Sequence, residues 1–498
     1  YRPNRLLTLL NRLKAADRYD GLLLMTATPM QVHPVEVWDL LTVLGLSGRW
    51  GADERAFLDF FAELRRLPAD TDWDLVYSLV NDYLSHVSLD GQIDPDFVRA
   101  MASELGAPRA EIIRTLPENL APGRVVRALP PAAQQYAAEL ARRHTPLQRY
   151  LFRNTRTLLR RYVDKGLLKA NVPTRRPQIR RVAFRADEAE LYGRITEYIS
   201  QFYARYESER RGLGFIMTVY RRRLTSSFYA VRRSLERRRD FLLRQIPASE
   251  AFTADDVAEL DEEDALEQAG LDFEDLNAVD MTSPGMRAAF DAELTYLETF
   301  INDLRRLSGN DSKVDALKNE LDRVFRQRPT ALVFTQYTDT MDYLRDHLVT
   351  VYGSKIACYS GRGGEVWNGL TWVQTSKEWV KEQFHDGEIA ILLCTESASE
   401  GLNLQTCGML ANYDMPWNPM RVEQRIGRID RIGQTYPEVW ISNYFYEDSI
   451  EDKVYRALED RIQWFEDVVG ALQPILAEVG EVTRKLAMLP AEEQAARF

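Results

Sequence analysis

The residues best suited to chemistry lie near the C-terminal end of the sequence, between Asn412 and Gln434. Gln424, Arg428 and Arg431 follow one another at intervals of four and three residues, which places an amide and two guanidiniums on one face of a helix. A guanidinium is planar, charged and forked, so it matches phosphate oxygens well. Two arginines about a turn apart are therefore suited to the charge that develops on a phosphoryl group during its transfer. Taken alone, the same face could be a solvated cationic surface.

The element that must position these side chains is a helix predicted from Met420 to Arg431. Prolines precede it, and Gly433 would end it. The opposite face carries three apolar residues at helical spacing: Val422, Ile426 and Ile429. One side of the helix should therefore pack into a core while the other presents the polar groups.

This stretch resembles a known family. The pattern Gln-x-x-Gly-Arg-x-x-Arg, in which Gly427 permits close approach, looks like motif VI of the superfamily-two helicases and translocases. The longer run DMPWNP, followed by EQRIGRIDRIGQ, is similar to the Swi/Snf-type ATPases, in particular their bacterial RapA-like branch. In that family the resemblance implies that Arg428 and Arg431 act as arginine fingers, and that Gln424 orients the γ-phosphate or the attacking water.

From residue 311 onwards, short apolar strands alternate with helices, which predicts an α/β fold with a doubly wound parallel sheet. The predicted strands cover residues 331–334, 356–359, 389–394, 409–413 and 439–445. Helices are predicted near 339–348 and 376–385. A glycine-rich run at 360–364 follows the second strand, where phosphate could bind. The resemblance identifies 311–470 as a second RecA-like lobe with motifs IV to VI.

The ends of these strands carry the residues of motifs IV and V. By resemblance, Gln336 and Thr395 would contact nucleic acid, and Thr395 would meet a phosphate of the tracked strand. Glu400, Gly401 and Asn403 would lie on the nucleotide side. Glu400 fits the RapA-like branch, whereas the eukaryotic remodellers carry a more glycine-rich run here.

Near the start of the chain, residues 21–25 predict a short buried strand that runs into Thr26-Ala-Thr-Pro29. With the helix that follows, this run resembles motif III, in which Thr26 and Thr28 would couple nucleotide state to the second lobe. Motif III belongs to the first RecA-like lobe, yet no GxxxxGK[ST] run occurs. We therefore expect 1–48 to be the C-terminal remnant of that lobe, and ATP and Mg²⁺ to be held mainly by first-lobe motifs outside this chain.

Composition and resemblance also predict the remaining segments. We expect a large helical insertion at 49–150, a return to the first lobe at 151–185, a basic helical region with an acidic linker at 186–310, and a helical tail at 471–498. Arginines in 151–185 could contact phosphate or form salt bridges between lobes.

Arg221, Arg222 and Arg223 lie in a helix with an apolar stripe within the basic region. They could belong to a packed helix with a solvated basic side. They could instead form a groove wall that neutralises duplex phosphates, which would give sequence-independent, salt-sensitive binding.

The composition is that of a soluble globular protein, with 45% hydrophobic and 28% charged residues and a net charge of -11. No apolar run approaches the ~18 residues of a membrane span, and we expect no signal peptide. The chain begins at Tyr1, so we expect a fragment. Its three cysteines show no CxxC spacing and are expected to be buried thiols of a reduced, cytoplasmic protein. No metal site is predicted.

The resemblance implies an ATP hydrolase that translocates on double-stranded DNA and is active only with its N-terminal RecA-like lobe. Two other functions remain open. The chain could belong to a remodeller of a protein–nucleic acid complex such as RNA polymerase, or it could be a DNA- or partner-binding module that does not hydrolyse ATP. Several RapA-like ATPases serve in anti-phage systems, so phage-defence proteins are further candidate partners.

Overall fold

The structure is a computed structural model of the 498-residue chain. It describes residues 5–16, 18–19, 21–25, 35–64, 66, 70–87, 93–150, 156–206, 213–243, 284–307, 311–395, 403–416, 419–449 and 451–452. The chain divides into two units, one within Tyr1–Thr155 and the other within Arg156–Asp460. Several sequence predictions lie outside the described residues: Thr26, Thr28, Glu400, Gly401, the acidic stretch at 255–280 and nearly all of 450–498.

The described residues of the first unit form helices joined by short connections, as the periodicity predicts. These are α1 (Arg5–Ala15), α2 (Val35–Val43), α3 (Gly48–Ala52), α4 (Glu54–Glu63), α5 (Trp73–Asp82), α6 (Pro95–Leu105), α7 (Ala107–Arg114), α8 (Pro122–Arg127), α9 (Pro131–Arg143) and α10 (Leu147–Tyr150). Asp53 and Asp72 cap α4 and α5, since each carboxylate accepts a backbone N–H of the first turn. Trp50, Trp73 and Tyr77 lie in the apolar core of this unit.

The strand predicted at residues 21–25 is not present. These residues have no regular secondary structure, and Leu23 and Met25 are 80% and 87% exposed. An apolar run becomes a strand only when another strand pairs with it. The described residues of this unit contain no other strand, so the run has no strand to pair with and remains largely exposed.

An eight-stranded sheet forms the centre of the second unit. Its strands are β1 (Thr174–Val182), β2 (Ala331–Thr335), β3 (Ile356–Ser360), β4 (Gly363–Trp367), β5 (Trp372–Thr375), β6 (Ile391–Thr395), β7 (Met409–Asn412) and β8 (Glu438–Tyr446). Their order is β1-β8-β7-β2-β6-β3-β4-β5. Six of them pair in parallel, and β3, β4 and β5 form antiparallel pairs at one edge. The five strands predicted for the second lobe are all confirmed.

Helices cover both faces of this sheet. The helices of this unit, within the described residues, are α11 (Arg156–Asp164), α12 (Ala186–Tyr206), α13 (Leu213–Ser226), α14 (Phe228–Leu242), α15 (Pro284–Arg306), α16 (Ser312–Val324), α17 (Thr338–Tyr352), α18 (Lys377–His385) and α19 (Pro419–Ile426). Alternate residues of β2 point into two apolar clusters, with Val333 in the one that includes α12–α17 and Phe334 in the one that includes α18 and α19. The predicted α/β fold with a doubly wound parallel sheet is confirmed.

Strand β1 corrects the expected domain order. Residues 151–185 were expected to return to a first lobe, but β1 pairs in parallel with β8 from Thr174 opposite Glu438 to Val182 opposite Tyr446. The segment from Arg156 onwards belongs to the second unit. As an edge strand, β1 exposes much of its side-chain surface, so its sequence is polar and gives little sign of the sheet it joins.

The basic helical region is also part of the second unit rather than a separate domain. Leu224, Phe228, Val231 and Leu235, which form the predicted apolar stripe, are all buried in the same cluster as the sheet. The stripe spans two helices, α13 and α14, because Ser227 lies between them. The Ser227 side chain caps α14 by accepting the Ala230 N–H at 3.0 Å.

The glycine-rich run at 360–364 forms the turn between β3 and β4. Gly363 has a φ of +112°, a conformation that other residues rarely adopt. The Arg362 side chain donates to Asp342 and to Glu365, the latter at 3.2 Å. The glycines are explained by the hairpin, and the arginine is held in ion pairs, so nothing here indicates a phosphate loop.

The three cysteines are buried and free, as predicted. Burial raises the pKa of Cys407 above its usual value, which keeps its thiol protonated at neutral pH. No helix in the described ranges combines the length and the apolar character needed to cross a bilayer.

Candidate functional site

Helix α19 and the turn after it carry the residues singled out by the sequence. The helix begins with a proline, a residue that suits the first turn because no partner is needed for its nitrogen. It ends at Ile426, not at Arg431 as predicted. Beyond it the backbone tightens, and Arg428 N donates to Arg425 O at 3.0 Å. Residues 427–433 are called the arginine turn below.

Two glycines shape the arginine turn. A Cβ atom on Gly427 would lie 3.3 Å from the carbonyl oxygens of Glu423 and Gln424, so a larger residue would press against the end of the helix. Glycine also disfavours continuation of the helix. Gly433 has a φ of +89° and closes the turn. The helix therefore ends about one turn earlier than the apolar spacing predicts.

The two faces of this segment are as predicted. Ile426 and Ile429 are buried, and Val422 packs against the same cluster. Gln424 is exposed, and Arg428 and Arg431 are partly exposed. The three polar groups thus lie at the surface of the unit, although the arginines are held on a turn instead of a helix.

The arginine turn is bonded to the segment that follows β6. Leu404 N donates to Arg428 O, and Thr435 N donates to Gln405 O, each at 3.0 Å. Asn403 lies next to this contact and is exposed. Backbone bonds therefore hold Asn403 and Arg428 in one region, as the resemblance to motifs V and VI implies.

The end of β6 lies within electrostatic reach of the same arginine. Burial raises the pKa of Cys394, the penultimate residue of that strand, and the positive charges of Lys377 and Arg428 partly oppose this effect. Arg428 is thus close to the carboxyl end of the parallel sheet, where ligands bind in open α/β folds.

A buried carboxylate, Asp414, connects the strand ends to each other. It accepts hydrogen bonds from the hydroxyl of Thr335 at 2.6 Å and from the backbone N–H of Gln336 at 2.8 Å. It also accepts the Ser226 hydroxyl at 2.5 Å, at the end of α13. One side chain therefore joins the ends of β2 and β7 to the helical layer.

Arg425 attaches α19 to the same network. Its Nη1 donates to Asp414 O at 2.8 Å and to Asn412 Oδ1 at 3.2 Å, and its side chain is 1% exposed. A charge-assisted bond to a backbone oxygen at this depth fixes the helix on the strand ends. Sequence reasoning did not single out Asp414 or Arg425. Two features of the sequence could have indicated them. Asp414 is a charged residue directly after a predicted buried strand, and Arg425 is a charged residue beside the core residue Ile426.

Gln336 and Thr395 lie at the strand ends where the sequence places them, but both side chains are buried, at 6% and 1% exposure. A side chain must reach the surface to touch a phosphate. The expected nucleic-acid contact of these two side chains does not fit their positions.

Residues 312–433 match the helicase conserved C-terminal domain. The uncharacterized ATP-dependent helicase YqhH of Bacillus subtilis is 37% identical over 179 residues, which cover 36% of this chain and 29% of that protein. The RNA polymerase-associated protein RapA of Cronobacter sakazakii is 38% identical over 88 residues, or 18% of this chain and 9% of that protein. The chain thus spans less than a third of the length of these curated relatives.

A solved structure titled Sulfolobus solfataricus SWI2/SNF2 ATPase core in complex with dsDNA matches 72% of this chain and 55% of its own length. Its sequence is 13% identical and its TM-score is 0.32. The resemblance to Swi/Snf-type superfamily-two ATPases of the RapA-like branch is confirmed by the domain match and the named relatives.

Two of the three arginines predicted to line a duplex groove are buried inside the second unit. Arg221 is 2% exposed and Arg223 is not exposed at all, whereas Arg222 keeps partial exposure. Helix α13 packs against the sheet cluster through Met217, Tyr220 and Leu224. This packing also buries Arg221 and Arg223. The groove-wall prediction is therefore wrong for Arg221 and Arg223, and the alternative of a packed helix fits.

Arg223 has a structural role that explains its burial. It pairs with Asp339 at the start of α17, and Arg237 of α14 pairs with the same carboxylate at 2.7 Å. Burial would raise the pKa of Asp339, but the two arginines outweigh it and lower that pKa to about 2. Three helices are thus joined by one shared carboxylate.

The arginine turn also receives contacts from outside the residues that match the family model. Asn171 O accepts Gly433 N at 2.9 Å, and the Asn171 amide donates to Gln434 O at 2.7 Å. Arg175 on β1 donates to both carboxylate oxygens of Glu423, at 2.8 and 2.9 Å, and to Asp430. Arg175 thus binds two carboxylates of its own unit.

Proposed function

We propose that this chain contributes the second RecA-like lobe of an ATP-dependent motor that translocates on double-stranded DNA. The observation that supports this most directly is the arginine turn. It holds Arg428 and Arg431 at the surface, next to the carboxyl end of a parallel sheet. Its backbone is bonded to the segment that carries Asn403. A rigid mounting of this kind suits charge stabilisation, which needs donors fixed in advance.

In the proposed reaction Arg428 and Arg431 stabilise the negative charge on the γ-phosphoryl group, and Gln424 orients that group or the attacking water. Arginines in this role accelerate phosphoryl transfer by roughly 10³ to 10⁵. Glu400, Gly401 and Asn403 contribute to the nucleotide side. Mg²⁺ and the β- and γ-phosphates are held by the motifs of a first RecA-like lobe, and hydrolysis requires that lobe.

Duplex DNA is the proposed track because the motif pattern is of the Swi/Snf type. Arg221 and Arg223 on α13 are buried and cannot contact DNA phosphates, so other residues must form the phosphate-binding surface. Arg222, which is partly exposed, remains a candidate.

A second candidate is an ATPase that remodels a protein–nucleic acid complex. It is favoured by the relatives named RNA polymerase-associated protein RapA, which are 38% and 34% identical over short segments. On this proposal the ATPase also moves along DNA, but it acts on a protein bound to that DNA, such as RNA polymerase.

The test is ATP hydrolysis by the full-length protein with no nucleic acid, with single strands, with duplex DNA, and with duplex DNA carrying stalled RNA polymerase. Stimulation by bare duplex is expected for a translocase. Stimulation only with the polymerase complex would support the remodeller instead. If the protein bound duplex DNA but hydrolysed no ATP under any of these conditions, it would be a binding module, and both motor proposals would be contradicted.

A further inference from the structure

A strongly basic stretch begins the second unit. Residues 156–185 hold ten arginines and lysines and one acidic residue, Asp164, in a protein whose net charge is -11. A local excess of positive charge can attract a polyanion to an acidic protein, because acidic residues more than about 10 Å away are largely screened at ordinary salt. The structure divides these cations into two groups with different surroundings.

The five arginines in the C-terminal part of this stretch are paired within the protein. Each places a guanidinium nitrogen 2.6 to 3.2 Å from a carboxylate oxygen of the second unit. They are Arg175, Arg176, Arg180, Arg181 and Arg185. Since a carboxylate lies against each of these charges, the five arginines add little to a positive surface potential.

The cations at the end of α11 have no such partners. Arg161, Lys165 and Lys169 are exposed, and none of them forms an ion pair with a residue that the structure describes. Lys165 N donates to Arg161 O at 3.0 Å, so these two side chains lie a turn apart on one face. Like charges at this spacing repel each other, and a bound polyanion would remove that repulsion. Residues 160–169 are called the cationic segment below.

Hydrogen bonds hold the cationic segment beside the arginine turn. At its start, Arg160 Nη2 donates to Thr174 Oγ1 at 3.2 Å, which ties the end of α11 to the start of β1. At its other end, Lys169 precedes Asn171 by two residues, a length of at most about 7 Å. Asn171 O accepts the Gly433 N–H at 2.9 Å. The exposed cations are therefore joined to the proposed ATPase arginines by a short path within one unit.

We propose that the cationic segment binds the phosphate backbone of duplex DNA through Arg161, Lys165 and Lys169. The inference rests on the proposed translocase function, and it names the surface of this lobe that contacts the track. A small ligand needs a concave site that surrounds it, whereas exposed cations spread over more than one helical turn suit a row of phosphates. Contacts of this kind position a protein on DNA without reading its sequence.

The first experiment measures the affinity of the full-length protein for a labelled duplex of mixed sequence, by fluorescence anisotropy over a series of KCl concentrations without nucleotide. The logarithm of the binding constant falls with the logarithm of the salt concentration, by about 0.9 for each phosphate that is neutralised. In Arg161→Gln combined with K165Q and K169Q, this slope is expected to lessen by about 2 to 3, and Kd at low salt should rise at least about tenfold.

The matched control removes one arginine and two lysines that are also exposed in the second unit: Arg326, Lys355 and Lys381. The combined variant R326Q, K355Q and K381Q makes the same change in net charge but leaves the cationic segment intact. Its slope should stay within about 0.5 of that of the unchanged protein. Equal losses of slope in both triple variants would overturn the proposal, because the effect would then follow net charge alone. An unchanged slope in the first variant would overturn it as well.

A second readout uses the unsubstituted protein and so does not depend on the folding of a variant. An acetylating ester modifies accessible lysines, and peptide mass spectrometry reports the rate at each one. Duplex DNA is expected to slow the modification of Lys165 and Lys169 several-fold and to leave Lys355 and Lys381 unchanged. Equal rates with and without duplex would contradict the inference. Protection of Lys165 and Lys169 by RNA polymerase but not by duplex would make the segment a protein contact and would also contradict it.

These measurements separate the DNA surface from the motor. A protein whose binding responds to the first triple variant as expected, but which hydrolyses no ATP on duplex, would support the cationic segment as a DNA surface and contradict the proposed motor. Duplex-stimulated hydrolysis together with an unchanged salt slope in that variant would support the motor and overturn the inference.

Discussion

At the scale of single residues, the arginines of this chain have roles that their sequence positions do not reveal. Arg428 and Arg431 stand at the surface on a turn. Arg425, in the same short segment, is buried and donates to Asp414 O. Arg221 is buried as well, with no ion pair among the described residues. Burial and partners, more than residue type, therefore distinguish a candidate finger from a structural cation.

The first prediction concerns Arg428. Arg428→Ala should reduce duplex-stimulated ATP hydrolysis by roughly 10³ to 10⁵, or about 4 to 7 kcal/mol of transition-state stabilisation. The side chain is partly exposed, so its loss should leave the unfolding temperature almost unchanged. Arg326→Ala, which removes an exposed arginine of the same domain, is the control. Hydrolysis retained by R428A at the level of R326A would remove Arg428 from the finger role.

The second prediction concerns Arg221. Burial lowers its pKa to about 10, and its Nε and Nη1 have no hydrogen-bond partner in the described part of the chain. Replacing a buried cation by an apolar side chain of similar volume often stabilises a protein. Arg221→Met should therefore raise the free energy of unfolding by about 1 to 3 kcal/mol in urea titrations.

Arg223→Met provides the matched comparison. It also removes a buried arginine from the same helix, but it deprives Asp339 of one of the two arginines that pair with it. It should destabilise the protein. If R221M also destabilised it, Arg221 would have to be making contacts that its surroundings do not show. If R221M weakened duplex binding, the original groove-wall prediction would regain support.

At the scale of elements, shared side chains hold the helices to the strand ends. Asp414 joins β2, β7 and α13, and Asp339 joins α13, α14 and α17. Each carboxylate has several partners, so removing it affects more than one contact. The polar bonds that set the relative positions of these helices and strands therefore lie mainly at their ends.

The third prediction is the pH dependence of the Asp339 junction. Its pKa falls from 3.8 to about 2 on folding, so the junction stabilises the folded state fully above about pH 4 and loses that contribution as the pH falls through about 2. The shift corresponds to roughly 2 kcal/mol at neutral pH. Asp339→Asn should lower stability by about that amount at pH 7.

The control is Asp346→Asn, which changes a carboxylate on the same helix that is 62% exposed. It should change stability by less than about 0.5 kcal/mol at either pH. Urea titrations at pH 7 and pH 3 give the comparison, and the gap between D339N and the unchanged protein should narrow at pH 3. An equal gap at both values would mean that the carboxylate charge is not what stabilises the junction.

At the scale of the whole molecule, the second unit extends well beyond the residues that match the family model. The matched domain covers 312–433, whereas the unit begins at Arg156 and includes β1 and helices α11 to α15. Leu191, Ile195 and Leu235 of those helices share a buried cluster with the sheet. The residues expected to form a separate basic region are thus part of the core of this lobe.

The fourth prediction follows from that boundary. A fragment covering 156–498 should be monomeric and unfold cooperatively, because it keeps β1 and the helices that cover one face of the sheet. A fragment covering 311–498, the boundary expected from the sequence, would expose the edge of β8 and a large apolar face, so it should aggregate. Size-exclusion chromatography and thermal unfolding followed by circular dichroism give the comparison. A well-folded 311–498 fragment would show that the helical layer is dispensable.

The sequence alone determined the central fold, and it singled out the residues of the proposed chemistry. The strands of the second lobe are short runs of apolar residues, and such runs can be buried only between two layers, so their pattern predicts the sheet directly. The Gln424, Arg428 and Arg431 spacing predicts a shared surface in the same way, and the apolar Ile426 and Ile429 predict the face that packs. The local sequence pattern is therefore enough to predict which apolar side chains are buried.

Only the tertiary structure decided which partners the polar residues have. The sequence near β1 is polar because the strand lies at an edge, so nothing local shows that it pairs with β8 or that Arg175 reaches Glu423 and Asp430. Arg221 and Arg223 read as a basic surface, but helix packing turned them inward. The physical reason is that a charged side chain is stabilised by groups distant in sequence, and those groups become neighbours only when the chain has folded.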